Sequence, residues 1–486
     1  MASPLDTLNP RLIWQHFDAI RQIPRPSKHE GRIAEHVVNW AKSRGLDVRR
    51  DAAGNVVVRV PATKGHESAA PVVLQGHLDM VPEKNGDVKF DFLTDPIQVR
   101  VEGDYVYATG TTLGADNGIG VAAAMAVADD PDVVHGPLEL LFTVDEETGL
   151  TGAQELDPSL IAGRILLNLD TEEDAALYIG CAGGADINAR FAVTRTAPAA
   201  GTTALNVAVR GLRGGHSGVD IHENRGNAVK FLARCIKAVE EAGVDFDIVS
   251  LAGGSKHNAI PREADGVILV PAGSATDARA AIAATAASLK EEFGAIDPKA
   301  AVTVTDAAAS AQPLSRADRD RILRTLLACP HGVLAMSRAV AGLVETSNNL
   351  AVVATEGNDV HVTTSTRSSV MPSLKAVLLQ VEAVLNLAGA EEVHVADGYP
   401  AWTPNPDSKI LKTAVEVFEK QFSATPVVKA IHAGLECGLI GEKFPGMDMV
   451  SMGPQIESPH SPDERVQVST VARFYTFLKA TLAALA

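Results

Sequence analysis

Three short apolar runs in the N-terminal part of the chain end in the same way. In "PVVLQGHLD", "LELLFTVDEE" and "RILLNLD" the hydrophobic stretch stops at a histidine or an acid: His77 and Asp79, then Asp145, Glu146 and Glu147, then Asp170. The largely apolar runs at 71–74, 138–144 and 165–169 lack the alternation of a half-exposed strand and read as strands buried on both faces. Between the first two lies "GADNGIGVAAAMAVADD", a helix of small residues suited to close packing on a sheet. Strands separated by helices in this way predict an α/β domain with both sheet faces covered.

In such a sheet the carboxyl ends of the strands form the edge where ligands bind, so residues distant in sequence can meet there. Asp116 stands just ahead of the small-residue helix, and His460 lies in "ESPHSPDE" before the closing helix. Taken singly, each residue has a plainer reading. An aspartate before a helix is a cap, "DEETG" is a solvated acidic turn, and "SPH" is a loop. Their coincidence at strand ends favours a metal site. Histidines and carboxylates without thiolates suit Zn²⁺ or a similar borderline ion. A pair of ions needs a bridging carboxylate, and one further glutamate must stay off the metals to take a proton from water.

At 486 residues the chain exceeds one ordinary core, which predicts two or three domains. A net charge of -17 and an aromatic content of 4% oppose a grip on phosphate backbones and a base-stacking platform, so no nucleic-acid partner is expected. The N-terminal "MASPLDTLNPRLIWQHFDAIRQIPRPS" has neither the apolar core of a secretory signal nor the length of a membrane span, so no membrane partner is expected either. Cysteines at 181, 235, 329 and 437 form no C-x-x-C pair. This points to a cytoplasmic protein with reduced thiols, whose metal ligands must be His, Asp or Glu.

Near 187 the texture changes. "TTALNVAVRGLRGG" alternates, "GNAVKFLARCIKAVEEAG" is helical, "GVILVPA" is a strand and "ATDARAAIAATAASLKEEFG" is helical again. A second set follows, with a helix expected around 318–344, strands in "NNLAVVATEGNDVHVTTSTRSS" and the helix "SLKAVLLQVEAVLNLAG". Residues 188–393 therefore read as an inserted α+β region, one that two similar halves could compose. It interrupts a catalytic domain whose first part is 1–187 and whose second part is 394–486. The closing helix is expected to begin at "SPDE", with Ser461 as N-cap, Pro462 in the first turn and Glu464 as the capping-box acid.

With these segments in order, the chain resembles metallopeptidase family M20, and within it the aminoacyl-histidine (Xaa-His) dipeptidase branch. The resemblance rests on "GHLDMVPEK", "TTLGADNGIGVA", "TVDEETGLTGA", "LLNLDTEE", "GLRGGHSGVDIHENRGNA", "KHNAIPREA", "HAGLECG" and "ESPHSPDE", and it covers essentially the whole chain. It implies a dinuclear peptidase in which Asp116 bridges two divalent ions. His77 and Asp170 would complete the protein ligands of one ion, and Glu147 and His460 those of the other. Zn²⁺ is the expected metal, with Co²⁺ or Mn²⁺ as substitutes. The resemblance further implies Glu146 as general base, Asp79 as the hydrogen-bond partner of His77, a cis peptide between Asp116 and Asn117, and His216 as oxyanion donor, often reaching a partner subunit's site.

In the insertion, Asn258 could donate to a substrate carbonyl or carboxylate, and the rigid fork of Arg367 suits the carboxylate of a short peptide. Either could equally serve a loop hydrogen bond or a salt bridge. In "HAGLECG", Gly434 could bring backbone close to substrate and Glu436 could receive a free α-ammonium group, although a surface turn explains the segment as well. The leading expectation is a cytoplasmic, homodimeric dipeptidase acting on Xaa-His and other unblocked dipeptides, with the dimer formed through the insertion. An aminoacylase or carboxypeptidase on the same scaffold is the alternative, and a binding protein that has lost catalysis is a poorer one.

Overall fold

The computed structural model describes residues 3–308, 312–338 and 340–486. The chain divides into two compact units, one of residues 1–180, 402–430 and 435–486, the other of residues 181–401 and 431–434. The sequence reading puts the edges at 187/188 and 393/394. The strand Gly183–Ala192 begins before the first of these, yet it pairs along its full length with Asp359–Ser368 and so belongs to the second unit's sheet.

Among the described residues the first unit carries an eight-stranded sheet. At its centre, Val72–His77 runs parallel to both Leu138–Thr143 and Ile165–Asn168, and Asp448–Ser451 runs parallel to Ile165–Asn168. Register sets the strand ends nearly level, with His77 opposite Thr143 and Gln75 opposite Asn168. Each acidic or histidine turn therefore leaves the sheet at the same edge. All six residues of Val72–His77 and all six of Leu138–Thr143 are buried, as strands covered on both faces must be.

The helix Ala115–Asp129 lies against this sheet and is buried almost from end to end. Its small residues permit a close approach: a Cβ at Gly120 would stand 2.4 Å from the Leu169 carbonyl oxygen. The peptide between Asp116 and Asn117 is cis. Amphipathic helices Arg11–Arg21, Gly31–Ser43, Lys409–Phe422 and Val468–Leu485 complete the cover, burying Trp14, Phe17, Trp40, Phe418 and Phe474 in one core.

The closing helix does not start at Ser461. It starts at Val468, and Arg465–Gln467 is a strand paired with Tyr105–Ala108. Its first amides are met from elsewhere, the Val468 N–H by the Asp104 carbonyl (2.8 Å) and the Ser469 N–H by the Asp104 carboxylate (3.0 Å). A cap supplied across tertiary structure leaves no local sequence mark, so the "SPDE" signature misleads.

Among the described residues the second unit is built on a nine-stranded antiparallel sheet flanked by Ala228–Glu241, Ala275–Phe293, Arg316–Ala328 and Met371–Leu387. Four strands between Ala301–Ala307 and Asp247–Gly253 meet four between Val344–Glu356 and Glu392–Val395 across a narrow seam. Only Ala252 with Ala354 and Gly253 with Val353 pair there. The helix expected over 318–344 ends at Ala328, and Gly332–Met336 is a strand on Val344–Glu356. Pro330 explains the stop, since proline cannot continue a helix and drives the residue before it to extended backbone. Residue 339, within that expected helix, lies outside the described residues.

The helix–sheet contact at Gly120 has a checkable consequence. Gly120→Ala should lower unfolding free energy by about 1–3 kcal/mol through overpacking against Leu169, although alanine is the better helix former. Urea denaturation of the purified variant beside the parent measures it.

Candidate metal centre

His77 ends its strand with the ring buried, and two of its neighbours are carboxylates. Its Nε2 lies 3.1 Å from Asp116 Oδ1 and 3.4 Å from Asp170 Oδ1. His460 presents its own Nε2 to the other oxygen of the same aspartate, 3.2 Å from Asp116 Oδ2, and lies 3.0 Å from Glu147 Oε2. Two of the groups able to hold a metal ion among the described residues are formed this way: His77, Asp116 and Asp170, and Asp116, Glu147 and His460. Asp116 is common to both. Two ligand atoms bound to one tetrahedral Zn²⁺ at ordinary bond lengths stand roughly 3.3 Å apart. The nitrogen–oxygen separations here match that spacing.

The electrostatics call for cations. Burial, opposed by His77 and reinforced by Asp116 and Glu147, pushes the Asp170 carboxyl up to about 7. Burial and Asp116 likewise raise Glu147. Asp116 is held well below the usual carboxylate range, because the two histidines outweigh its burial. Burial disfavours a charged His77 ring, yet Asp170, Asp116 and Asp79 push its pKa well upward. His460 is raised to about 11 by its bonds to Asp116 and Glu147. One oxygen each of Glu147 and Asp170 is buried without a hydrogen-bond partner. Unpaired buried carboxylate oxygens are costly, and a divalent ion is the partner that fits them.

Asp79 sits at 0% exposure below His77, with Oδ1 3.3 Å from the ring Nδ1. It also accepts from the amides of Glu146 (3.0 Å) and Glu147 (3.1 Å) and from the Ser27 hydroxyl (2.8 Å). Burial would raise its pKa, but His77 and these donors bring it down to about 2. One anionic side chain thus stands against the His77 ring, whose Nδ1 makes no full hydrogen bond, and fixes the backbone of both following glutamates. Glu146 and Glu147 open a short helix after Asp145, whose backbone is left-handed (φ 53°). Glu146 lies within reach of His77 and Glu147, and burial together with Asp170, Glu147 and Glu436 raises its carboxyl well above the ordinary range.

A third acidic group, Glu30, Asp79 and Asp145, differs in kind. Its oxygens already accept from Lys28 and Asp145 amides and from the hydroxyls of Ser27, Thr148 and Thr151. It is a hydrogen-bonded support.

Glu436 is 1% exposed, opening the helix Glu436–Lys443. Its Oε2 accepts from Gln75 (2.6 Å) and Thr143 (2.7 Å), while Oε1 is buried without a partner. Gln75 in turn accepts from Asn168 (2.6 Å), and Asn168 from the Ser451 hydroxyl. A polar chain therefore crosses the parallel strands at the ends that carry the candidate metal ligands. The sequence presents Glu436 and Gly434 as one segment, but Gly434 belongs to the second unit and Glu436 to the first.

Within the second unit, His216, Arg367 and Gly434 share neighbours. A Cβ on Gly218 would lie 2.1 Å from the His432 carbonyl oxygen, which explains the glycine, and would also approach His216 Cε1 (3.1 Å) and Arg367 Cδ (3.2 Å). His216 Nδ1 accepts from the Gly218 (3.2 Å) and Val219 (3.0 Å) amides, so its proton resides on Nε2. Burial and Arg367 lower His216 to about 4. Arg367 Nη1 donates to the Tyr399 hydroxyl (2.7 Å), and a Cβ on Gly434 would meet the Tyr399 ring at 2.8 Å. Asn258 leaves its side chain exposed, and its carbonyl accepts from Ser217 (2.8 Å). Sequence reasoning passes over Tyr399, Gln75, Ser27 and Arg25, none of which stands in a recognisable motif.

Residues 73–484 match the sequence profile of peptidase family M20/M25/M40. The cytosol non-specific dipeptidase of Escherichia coli is 42% identical over 480 residues, 99% of each chain. The crystal structure of aminoacylhistidine dipeptidase from Vibrio alginolyticus superposes with a TM-score of 0.90 at 44% identity, over 99% of this chain and 98% of that one. Aminopeptidase PepT from Bacillus cereus shares the fold at 16% identity, with a TM-score of 0.58 over 98% and 99% of the two chains. Among the described residues no helix is long and apolar enough to cross a membrane.

Two measurements test this geometry. Asp79→Asn should weaken divalent-metal affinity by roughly 10–100-fold, as loss of a ligand-orienting carboxylate does; chelator competition reads it. His432, 6% exposed and bonded to Ser347 (2.8 Å), is lowered by burial and Arg367 to about 3. The folded ring stays neutral while the unfolded one protonates near 6.5. The unfolded state therefore binds the extra proton between these values, and this histidine's effect on stability worsens as pH falls through 6.5 toward 3. His432→Gln should flatten the decline in Tm between about pH 7 and about pH 4.5 relative to the parent.

Proposed function

Because the chain belongs to peptidase family M20/M25/M40, we propose that it is a dinuclear metallodipeptidase hydrolysing Xaa-His and other small unblocked dipeptides. The observation that carries this reading is Asp116, each of whose oxygens faces a different histidine. His77, Asp116 and Asp170 would hold one ion, and Asp116, Glu147 and His460 the other. Divalent ions held there supply Lewis acidity and make water more acidic. We assign Zn²⁺, with Co²⁺ or Mn²⁺ able to replace it, from the nitrogen and oxygen donor set.

Glu146 takes the proton from the attacking water and delivers it to the departing amine. Asp79 keeps His77 in the tautomer that offers Nε2. His216, with its proton on Nε2, is the oxyanion donor. Arg367, steadied by Tyr399, receives the substrate carboxylate, with Asn258 and the Gly434 backbone beside it in role. The unpartnered oxygen of Glu436 receives the free ammonium group. A cytoplasmic homodimer joined through the second unit completes the proposal. The resemblance to a cytosolic dipeptidase supports the location. The narrow seam between the second unit's two four-stranded halves supports an internal duplication, the alternative in which one chain imitates the partner and stays a monomer.

Glu146→Gln should keep its metal content and lose turnover by roughly 10²–10⁴-fold, the usual contribution of a positioned acid–base. Near-normal kcat would move the base elsewhere. Substrate ends are tested by kcat/KM for Ala-His, acetyl-Ala-His and Ala-His-Ala at equal metal load. The free dipeptide should be preferred. Equal hydrolysis of the blocked or longer peptide would favour an aminoacylase or carboxypeptidase.

A further inference from the structure

Two charged side chains beneath the centre have no place in the chemistry above, and both are 2% exposed. Glu464 accepts four backbone amides in succession. Its Oε2 takes Leu113 (2.7 Å) and Gly114 (2.9 Å), and its Oε1 takes Ala115 (2.8 Å) and Asp116 (3.3 Å). Arg25 works on carbonyls. Its Nη1 donates to Leu78 (2.8 Å) and Asp79 (2.5 Å), and its Nη2 to Gly114. Gly114 is thus gripped through its N–H by Glu464 and through its C=O by Arg25. A Cβ there would fall 2.6 Å from Arg25 Nη2, and φ is 69°, so the clamp needs glycine at this position.

We propose that Arg25 and Glu464 are positioning residues that set the shared carboxylate of Asp116 against the two histidines. The inference rests on reading Asp116 as the bridge. The division of labour follows from connectivity. Glu464 stands four residues after His460 in the sequence and holds the Asp116 amide, so it ties the His460 segment to the aspartate. Arg25 binds the carbonyls of Leu78 and Asp79 just after His77 and that of Gly114 just before Asp116, so it ties the His77 strand exit to the same loop. Each charged group therefore fixes one histidine relative to Asp116.

The chemistry suits the task. The N–H groups of Leu113 and Gly114 lie in the loop ahead of the helix and those of Ala115 and Asp116 in its first turn, where no intrahelical acceptor exists, and one carboxylate can accept from all four at once. A planar guanidinium can reach three carbonyls from a fixed position, which a lysine ammonium cannot do with the same geometry. Glutamine at 464 would keep the shape but turn an amide NH₂ toward two N–H donors and push the loop away.

The test is a titration of the metal-free full-length protein with Zn²⁺ in a competing chelator, followed by anomalous scattering from Zn²⁺-loaded crystals. Wild type should take two equivalents. Glu464→Gln should hold the ion of the His77 group and weaken that of the His460 group by roughly 10–100-fold. Arg25→Lys should do the reverse. A purely structural role would lower the melting temperature of the metal-free protein and leave both affinities at wild-type values, and that result overturns the proposal. So does failure of both variants to fold, which would make the pair a folding element. Should wild type itself bind fewer than two ions, the bridging reading fails instead, independently of the clamp.

Discussion

The carboxylate of Asp116 is the constraint around which the catalytic unit is arranged. It is 8% exposed, and it shares its surroundings with Asp170, Glu147 and Glu146 in a space from which water is largely removed. So many acids cannot all be ionised there without compensation, since an unpaired buried charge costs several kcal/mol or neutralises itself. Two histidines answer part of the charge, and the remaining unpartnered oxygens point to cations. The level ends of the parallel strands, the left-handed turn at Asp145 and the buried brace of Asp79 are all arrangements that bring candidate metal ligands to this one aspartate.

Support for the centre is polar as well as apolar. Asp79 holds a ring and two amides, Glu464 holds four amides, Arg25 holds three carbonyls, and Gln75 links Glu436 to Asn168. Buried networks of this kind are rigid when every member is satisfied and costly when one is removed. The exceptions are informative. Oxygens of Glu147, Asp170 and Glu436 have no hydrogen-bond partner, nor do Nδ1 of His77 and Nε of Arg25, and all five residues belong to the centre, its support or the proposed substrate contacts.

The second unit follows a different logic. Its sheet is antiparallel throughout, and its functional candidates are neutral or cationic. His216 is kept uncharged with a defined proton position by two backbone amides, and Arg367 is steadied by a phenol in place of a carboxylate. A guanidinium bonded to a neutral oxygen keeps its charge available for an anionic group, whereas a salt bridge would consume it.

Much of this was legible in the sequence for a physical reason. Continuous apolar runs of this length fit strands buried on both faces, and in a parallel sheet their ends must converge. His77, Asp116, Glu146, Glu147, Asp170 and His460 could therefore be gathered into one candidate site from local pattern and order along the chain. Local pattern failed where partners come from far away. Glu464 carries a convincing helix-capping signature, yet its carboxylate accepts from the Leu113 amide, 351 positions earlier in the chain. Asp104 caps a helix that its own neighbourhood does not mention. Arg25, Gln75 and Tyr399 stand in no motif because their work is defined by the atoms that folding brings to them. Sequence determined which side chains could do the chemistry, since residue type and strand periodicity are local properties. Tertiary structure alone decided which groups hold those side chains in place, because hydrogen bonds between distant backbone and buried charge exist only once the chain has closed around them.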